Sequence, residues 1–253
     1  MLDPIAVILV YSGLAGSCVA ACSIIKPWRF VGIRSRRVAV VVLALSVLDA
    51  AAGFLMPAPV ERTSEARTDL DRFMPAWQFG ERHQVTVHAA PTRVYEAIQQ
   101  VTANEIALFR TLTWIRSPHI GAAKESILNP AGNDPIIEVA ERSGFTRLSE
   151  RSPHEIVLGT LLAPRVKATI NFLVAPGVDG TTHLATETRV FAENPRTARL
   201  FAVYWRLIYP GSALIRVMWL RAIRARALRQ AGQVTLLWRP VPALPGRLAP
   251  VCT

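Results

Sequence analysis

Two long apolar runs open the chain, and only behind them does polarity begin to alternate. Ile5 to Ile25 carries no charge. As a helix rising about 1.5 Å per residue it would span roughly 30 Å, the thickness of a bilayer's hydrocarbon core. Val38 to Met56 is a second run, broken only by Asp49, and Lys26, Arg29, Arg34, Arg36 and Arg37 lie between the two. This pattern predicts a transmembrane helical hairpin in residues 1–58, with helices at about 5–25 and 38–56. A signal peptide fits less well, because the n-region holds Asp3 and no basic side chain, and Pro27-Trp28-Arg29 stands where small residues would permit cleavage. Lys and Arg favour cytoplasmic loops, whereas Glu61 to Arg72 mixes both signs. The loop between the runs is therefore expected inside and the following domain extracytoplasmic. Gly13, Ser17 and Ala21 form a small-residue stripe, and Asp49, Ala52 and Gly53 share one face of the second helix, spacings that permit close helix approach. Asp49 reads either as a proton or partner site or as a protonated or hydrogen-bonded residue at a helix contact.

Pro57 and Pro59 end the second helix. Residues 59–80 are mixed and polar and read as a linker, with Trp77 and Phe79 suited to a membrane surface. A regular pattern then runs from 81 to 231. His83, Val85 and Val87 alternate with polar positions as a strand. Ala90-Pro91 opens a helix with the stripe Val94, Ala97, Ile98 and Val101, and a second helix is expected over 103–115. Residues 117–135 are mainly loop, with a short helical piece around 122–128. Ile136 to Glu141 reads as a short strand. Phe145 to Arg151 and His154 to Leu161 are strands about a Ser152-Pro153 turn, and Lys167 to Val174 and Thr182 to Phe191 flank the hairpin signal Pro176 to Gly180. A final helix covers 195–231, where Pro210-Gly211 should kink or break it, and residues 232–253 form a Pro-rich tail, disordered in this reading. Strands gathered in one run give an antiparallel sheet and an α+β class, with a cavity between sheet and last helix as a ligand site.

Composition narrows this little. Of 253 residues, 51% are hydrophobic and 19% charged, too apolar for disorder. The net charge of +11 suits an anionic lipid surface, which the hairpin makes a better partner than nucleic acid. Three cysteines, Cys18, Cys22 and Cys252, make neither a disulfide framework nor a zinc pattern.

The segment Val85-Thr86-Val87-His88-Ala89-Ala90-Pro91-Thr92-Arg93-Val94-Tyr95-Glu96-Ala97-Ile98 resembles the opening of the SRPBCC superfamily, where a strand meets Ala-Pro and a Val-x-x-Ala helix. Thr186-Glu187-Thr188-Arg189-Val190 is similar to the final strand of bacterial members, and Tyr204 to Gly211 with Leu220-Arg221-Ala222-Ile223 to their C-terminal helix. This resemblance covers about 81–230. It implies a helix-grip domain, a curved antiparallel sheet over a long C-terminal helix, of the kind found in START lipid-transfer domains and polyketide cyclases. The hairpin is no part of that pattern.

On the last helix Phe201, Tyr204, Trp205 and Ile208 oppose Arg196, Arg199 and Arg206, and this aromatic face is expected to close the cavity or to pack as ordinary core. Glu187 and Arg189 share one face of the last strand. Facing inward, Glu187 would have to pair with Arg189 or Arg147 and would offer a polar group to a ligand; facing outward, it would be solvated. The function expected is membrane-tethered binding or transfer of an apolar small molecule or lipid, with movement of the last helix or the 117–135 loop opening the cavity. The alternatives are a cyclase- or aromatase-like enzyme, with Glu187, Glu105 or His88 as its acid or base, and a non-catalytic partner-binding membrane subunit. No His pairing suggests a metal, no Gly-rich loop a phosphate cofactor, and no nucleophile elbow a hydrolase. The arginines Arg216, Arg221, Arg224, Arg226 and Arg229 point around the helix and read as a solvated or membrane-facing surface.

Overall fold

The structure, a computed structural model, describes residues 3–26, 28, 32–117, 125–130 and 132–237. His119, residues 122–124 of the helical piece expected around 122–128, and residues 238–253 of the tail expected from 232 lie outside the described residues; 125–128 are not helical, and 232–237 continue the last helix. Helices α1 (Asp3–Ile25) and α2 (Arg36–Leu55) form an antiparallel pair, each long and apolar enough to cross a membrane. Glycine lets them touch: a Cβ on Gly53 would sit 2.8 Å from the Val10 nitrogen and 2.9 Å from the Ala6 oxygen. Asp49 accepts a 2.7 Å hydrogen bond from Ser12, the helix-contact role of the two weighed above. The outer surface of the pair is apolar, with Ile8, Leu45, Leu48 and Leu55 all exposed.

Residues 59–80 are more than a connector. They form β1 (Glu61–Arg62), α3 (Asp69–Phe73) and β2 (Ala76–Trp77), and α3 buries Asp69, Leu70 and Asp71. Then follow β3 (Phe79–Val87), α4 (Pro91–Gln100), a 3-10 turn (Ala103–Glu105), α5 (Phe109–Arg116), α6 (Ile136–Arg142), β4 (Thr146–Arg151), β5 (Glu155–Ala163), β6 (Val166–Pro176), β7 (Thr182–Ala192) and α7 (Pro195–Leu237). Strands β3 to β7 make one antiparallel sheet in the order β3-β7-β6-β5-β4. One face packs on α4, α6 and α7 through Val87, Ile98, Ile156, Leu158, Phe172, Leu184, Trp219 and Ile223. Near the hairpin, Phe79, Val166, Val190, Phe201 and Trp205 form a second apolar cluster.

Three local expectations are corrected. Ile136 to Glu141 is helix: Ile136, Ile137, Val139 and Ala140 are all buried, a helical spacing that a run of β-branched residues disguises as strand. The helix expected over 103–115 is split because Leu108 takes φ 60°, which ends one hydrogen-bonded run and starts another. The last helix runs unbroken through Pro210. Proline removes one N–H, but Trp205 before it and Ile215 and Trp219 after it are buried on the same sheet, and that packing holds the axis.

Candidate functional site

Parity decides which side chains reach the helix side of the sheet. On β7, Leu184, Thr188 and Val190 face α7, so Glu187 and Arg189 point the other way. Between sheet and α7 lies a cavity of about 150 Å³. Its deep wall is Ile170, Ile215, Trp205 and Trp219; Thr188, Ser212 and Arg216 supply polar groups, and Leu162, Ile208 and Arg116 stand toward its partly exposed rim. Trp205 Nε1, Trp219 Nε1 and Thr188 Oγ1 are buried and make no hydrogen bond among the described residues. Leaving such groups unpaired costs about 1–3 kcal/mol each.

A buried carboxylate stands behind the polar part of the lining. Glu81, on β3, accepts a 3.0 Å bond from Ser212 Oγ and lies 3.4 Å from Arg216 Nε. Its second oxygen is 3.9 Å from His83 Nε2, and neither of these atoms has a hydrogen-bond partner among the described residues. The Arg216 guanidinium lies over the Trp219 ring at 5.4 Å. Desolvation by burial holds its pKa below the usual arginine range, against the pull of Glu81 and aided by the charge of Arg116. Arg116 itself donates two bonds, of 3.0 and 2.7 Å, to the Tyr204 hydroxyl.

The residues singled out from the sequence divide accordingly. Trp205 and Ile208 line the cavity. Phe201 is buried beside them, 5.1 Å from the Phe79 ring, in the second cluster. Tyr204 faces outward and holds Arg116. Arg206, expected on a polar face with Arg196 and Arg199, is fully buried and donates to the Phe54 and Met56 carbonyls at 2.8 and 2.7 Å, capping the end of α2.

Glu187, Arg189 and Arg147 stand apart from the cavity. Outward did not mean solvated, because residues 61–77 cover that face. Arg189 is bonded to Asp71 at 2.8 Å, Glu187 at 2.6 Å, the Met74 carbonyl at 3.0 Å and Thr63 at 3.2 Å, with the Trp77 ring 3.9 Å from its Cζ. Beside it, Glu155 accepts from the Asp69 and Leu70 nitrogens at the start of α3 and from Asn171 and Arg151. Arg147 belongs to an edge cluster with Glu141 and Glu150, to which Tyr95 also donates. Among the candidate acids and bases, Glu105 is held by Arg226 and Arg229 on the surface of α7 and His88 is exposed. Glu81 escaped the sequence reading as a site residue, and Arg216, read there with Arg221, Arg224, Arg226 and Arg229 as a solvated or membrane-facing surface, is instead drawn inward against Glu81 at the cavity. The one legible signal was the parity of Glu81 with Val85 and Val87, a charged residue in register with the core.

Five antiparallel strands folded against one long C-terminal helix, with a cavity between them, fix the architecture. The fold is a helix grip. No family model matches the chain, and no curated protein does. Solved structures with which it aligns include a START superfamily protein from Mycobacterium smegmatis, at 14% identity over 60% of this chain and 98% of that one, with a TM-score of 0.30. The di-domain ARO/CYC BexL from the BE-7585A biosynthetic pathway aligns at 14% identity over 76% of this chain and 56% of its own, TM-score 0.34. Protein MLL2253 from Mesorhizobium loti aligns at 15% over 60% and 98%, TM-score 0.33.

Proposed function

We propose that the helix grip binds a small, largely apolar molecule between sheet and α7 and is held at a membrane by the α1–α2 hairpin. The cavity carries this reading. A space of about 150 Å³ walled by Ile170, Trp205, Ile215 and Trp219 holds a single aromatic ring or a short alkyl group, and burying it releases about 25 cal/mol for each Å² of apolar surface removed from water. The unpaired Trp205, Trp219 and Thr188 atoms suit a ligand with one hydrogen-bonding group on an apolar body. For the hairpin, the support is two helices of membrane-spanning length with an apolar exterior. Its basic loop lies on the cytoplasmic side and the domain outside, by the bias of Lys and Arg. In this division residues 1–58 are the anchor, the grip starts at about 81, and the segment between them braces its outer face.

Native mass spectrometry and solvent extraction of the full chain in mild detergent test the reading. The expected result is a co-purifying apolar molecule that is lost in Ala168→Phe. Ala168 lines the cavity and is 6% exposed, so a phenyl ring there has no other space to occupy. Binding of the extracted molecule to that variant is expected to fall by at least about tenfold, or 1.4 kcal/mol. Equal binding by both proteins would place the ligand elsewhere. A second reading, an enzyme acting on a hydrophobic substrate, draws on buried Glu81, a carboxylate in contact with the cavity-lining Ser212 and Arg216. In that case Glu81→Gln would abolish turnover while leaving binding intact.

A further inference from the structure

The end of the grip nearest the hairpin has a surface that a water-facing domain does not need. On α5, Trp114 and Ile115 are 55% and 63% exposed; at the β5–β6 turn Leu161 and Leu162 are 68% and 43% exposed; on α7 Leu200 and Val203 are 68% and 44% exposed. Large apolar side chains left exposed at one end of a domain mark an interaction site. Here the hairpin says what covers it. Tyr11 donates a 2.6 Å hydrogen bond to the Leu207 carbonyl, and Arg206 caps the last carbonyls of α2. Leu55 and Pro57 line one groove together with Ala198, Leu200 and Val203. Tyr11 lies six residues beyond Ile5, about 9 Å along α1. If the apolar run of α1 fills the hydrocarbon core, the first half of α7 lies at the membrane surface or beneath it. Exposed Arg165, Arg196 and Arg199 lie in the same region, placed for lipid phosphates.

We propose that this end of the domain is seated in the surface layer of the bilayer, so that the cavity opens into lipid rather than water. Leu162 and Ile208 belong both to the cavity lining and to this end of the fold. An apolar ligand would then pass between membrane and cavity without crossing water. The proposal rests on reading α1 and α2 as membrane-spanning, and the test separates the two.

The full chain, with Cys18, Cys22 and Cys252 replaced by alanine, is reconstituted into phosphatidylcholine vesicles that carry a doxyl-labelled phosphatidylcholine. Single-cysteine variants Ile115→Cys, Leu162→Cys and Leu200→Cys each carry an environment-sensitive fluorophore. Leu48→Cys reports on the hairpin. Val178→Cys, 78% exposed at the opposite end of the sheet, reports on water-facing surface. The expected result is a loss of fluorescence at 115, 162 and 200 comparable to that at 48, with none at 178. Quenching at 48 alone, with the three rim labels open to aqueous iodide, overturns the seated mouth and leaves the anchor standing. Absence of lipid quenching at 48 as well overturns both.

Discussion

Asp71→Asn is expected to destabilise the domain by about 3–5 kcal/mol, the usual cost of removing one partner from a buried ion pair. Asp71 and Arg189 are both nearly inaccessible, and Asp71 also accepts from Thr68, Thr63 and the Arg67 nitrogen. Glu187 is left to neutralise Arg189, and the amide keeps one acceptor oxygen where the carboxylate had two, so it cannot serve both Arg189 and Thr63 on one side and Thr68 and the Arg67 nitrogen on the other. Chemical denaturation of the full chain in mild detergent, followed by tryptophan fluorescence, measures the loss. A change below about 1 kcal/mol would mean that the 61–77 segment is not integral to the sheet. Acid should act through the same groups. Burial raises the Asp71 pKa, but bonds from Thr68, Arg189 and Arg67 outweigh it and hold the carboxyl well below its ordinary range. The Ser149 hydrogen bond, followed by Arg151, holds Asp69 low against its own burial. Groups depressed in the folded state stabilise it fully above their unfolded pKa, about 3.9, and lose that contribution as pH falls through the folded values. Stability should therefore be level from neutral pH to about 4 and fall below it, with a shallower fall in Asp71→Asn.

Gly13→Val is expected to force the hairpin open, at a cost of about 3 kcal/mol, the upper end for overpacking because the colliding atoms are backbone. A Cβ there would stand 2.5 Å from the Ser46 carbonyl oxygen and 2.7 Å from the Ala50 Cβ, and no rotamer relieves either clash. Separation also pulls Ser12 from Asp49, leaving a carboxyl group without its donor in an apolar surrounding. Pulsed dipolar spectroscopy between spin labels at exposed Leu14 and Leu45 reads the outcome as a longer, broader distance distribution. An unchanged distribution would show that the helices do not need this contact.

These two sites also show what each level of description can reach. The hairpin was legible from sequence because it is local: uninterrupted apolar length, a basic loop and small residues at helical spacing each act within their own segment. The antiparallel run β4–β7 was legible for the same reason, since alternation and the Pro176 to Gly180 turn specify neighbours in the chain. The site was not. Glu187 and Arg189 alternate identically whether they face cavity or solvent, and only the register of β7 between β3 and β6 turns them outward. Even then outward is buried, because Asp71, more than a hundred residues earlier, arrives on a segment whose polarity reads as linker. Arg206 looks like a surface arginine until α2 ends beside it, and Glu81 like a surface glutamate until Ser212 and Arg216 are brought against it. Sequence determined which segments are apolar and which alternate, because those patterns follow from chain geometry. Tertiary structure alone decided where the charges go, because the energy of a charge depends on its partner and its exposure, and both are supplied by distant segments.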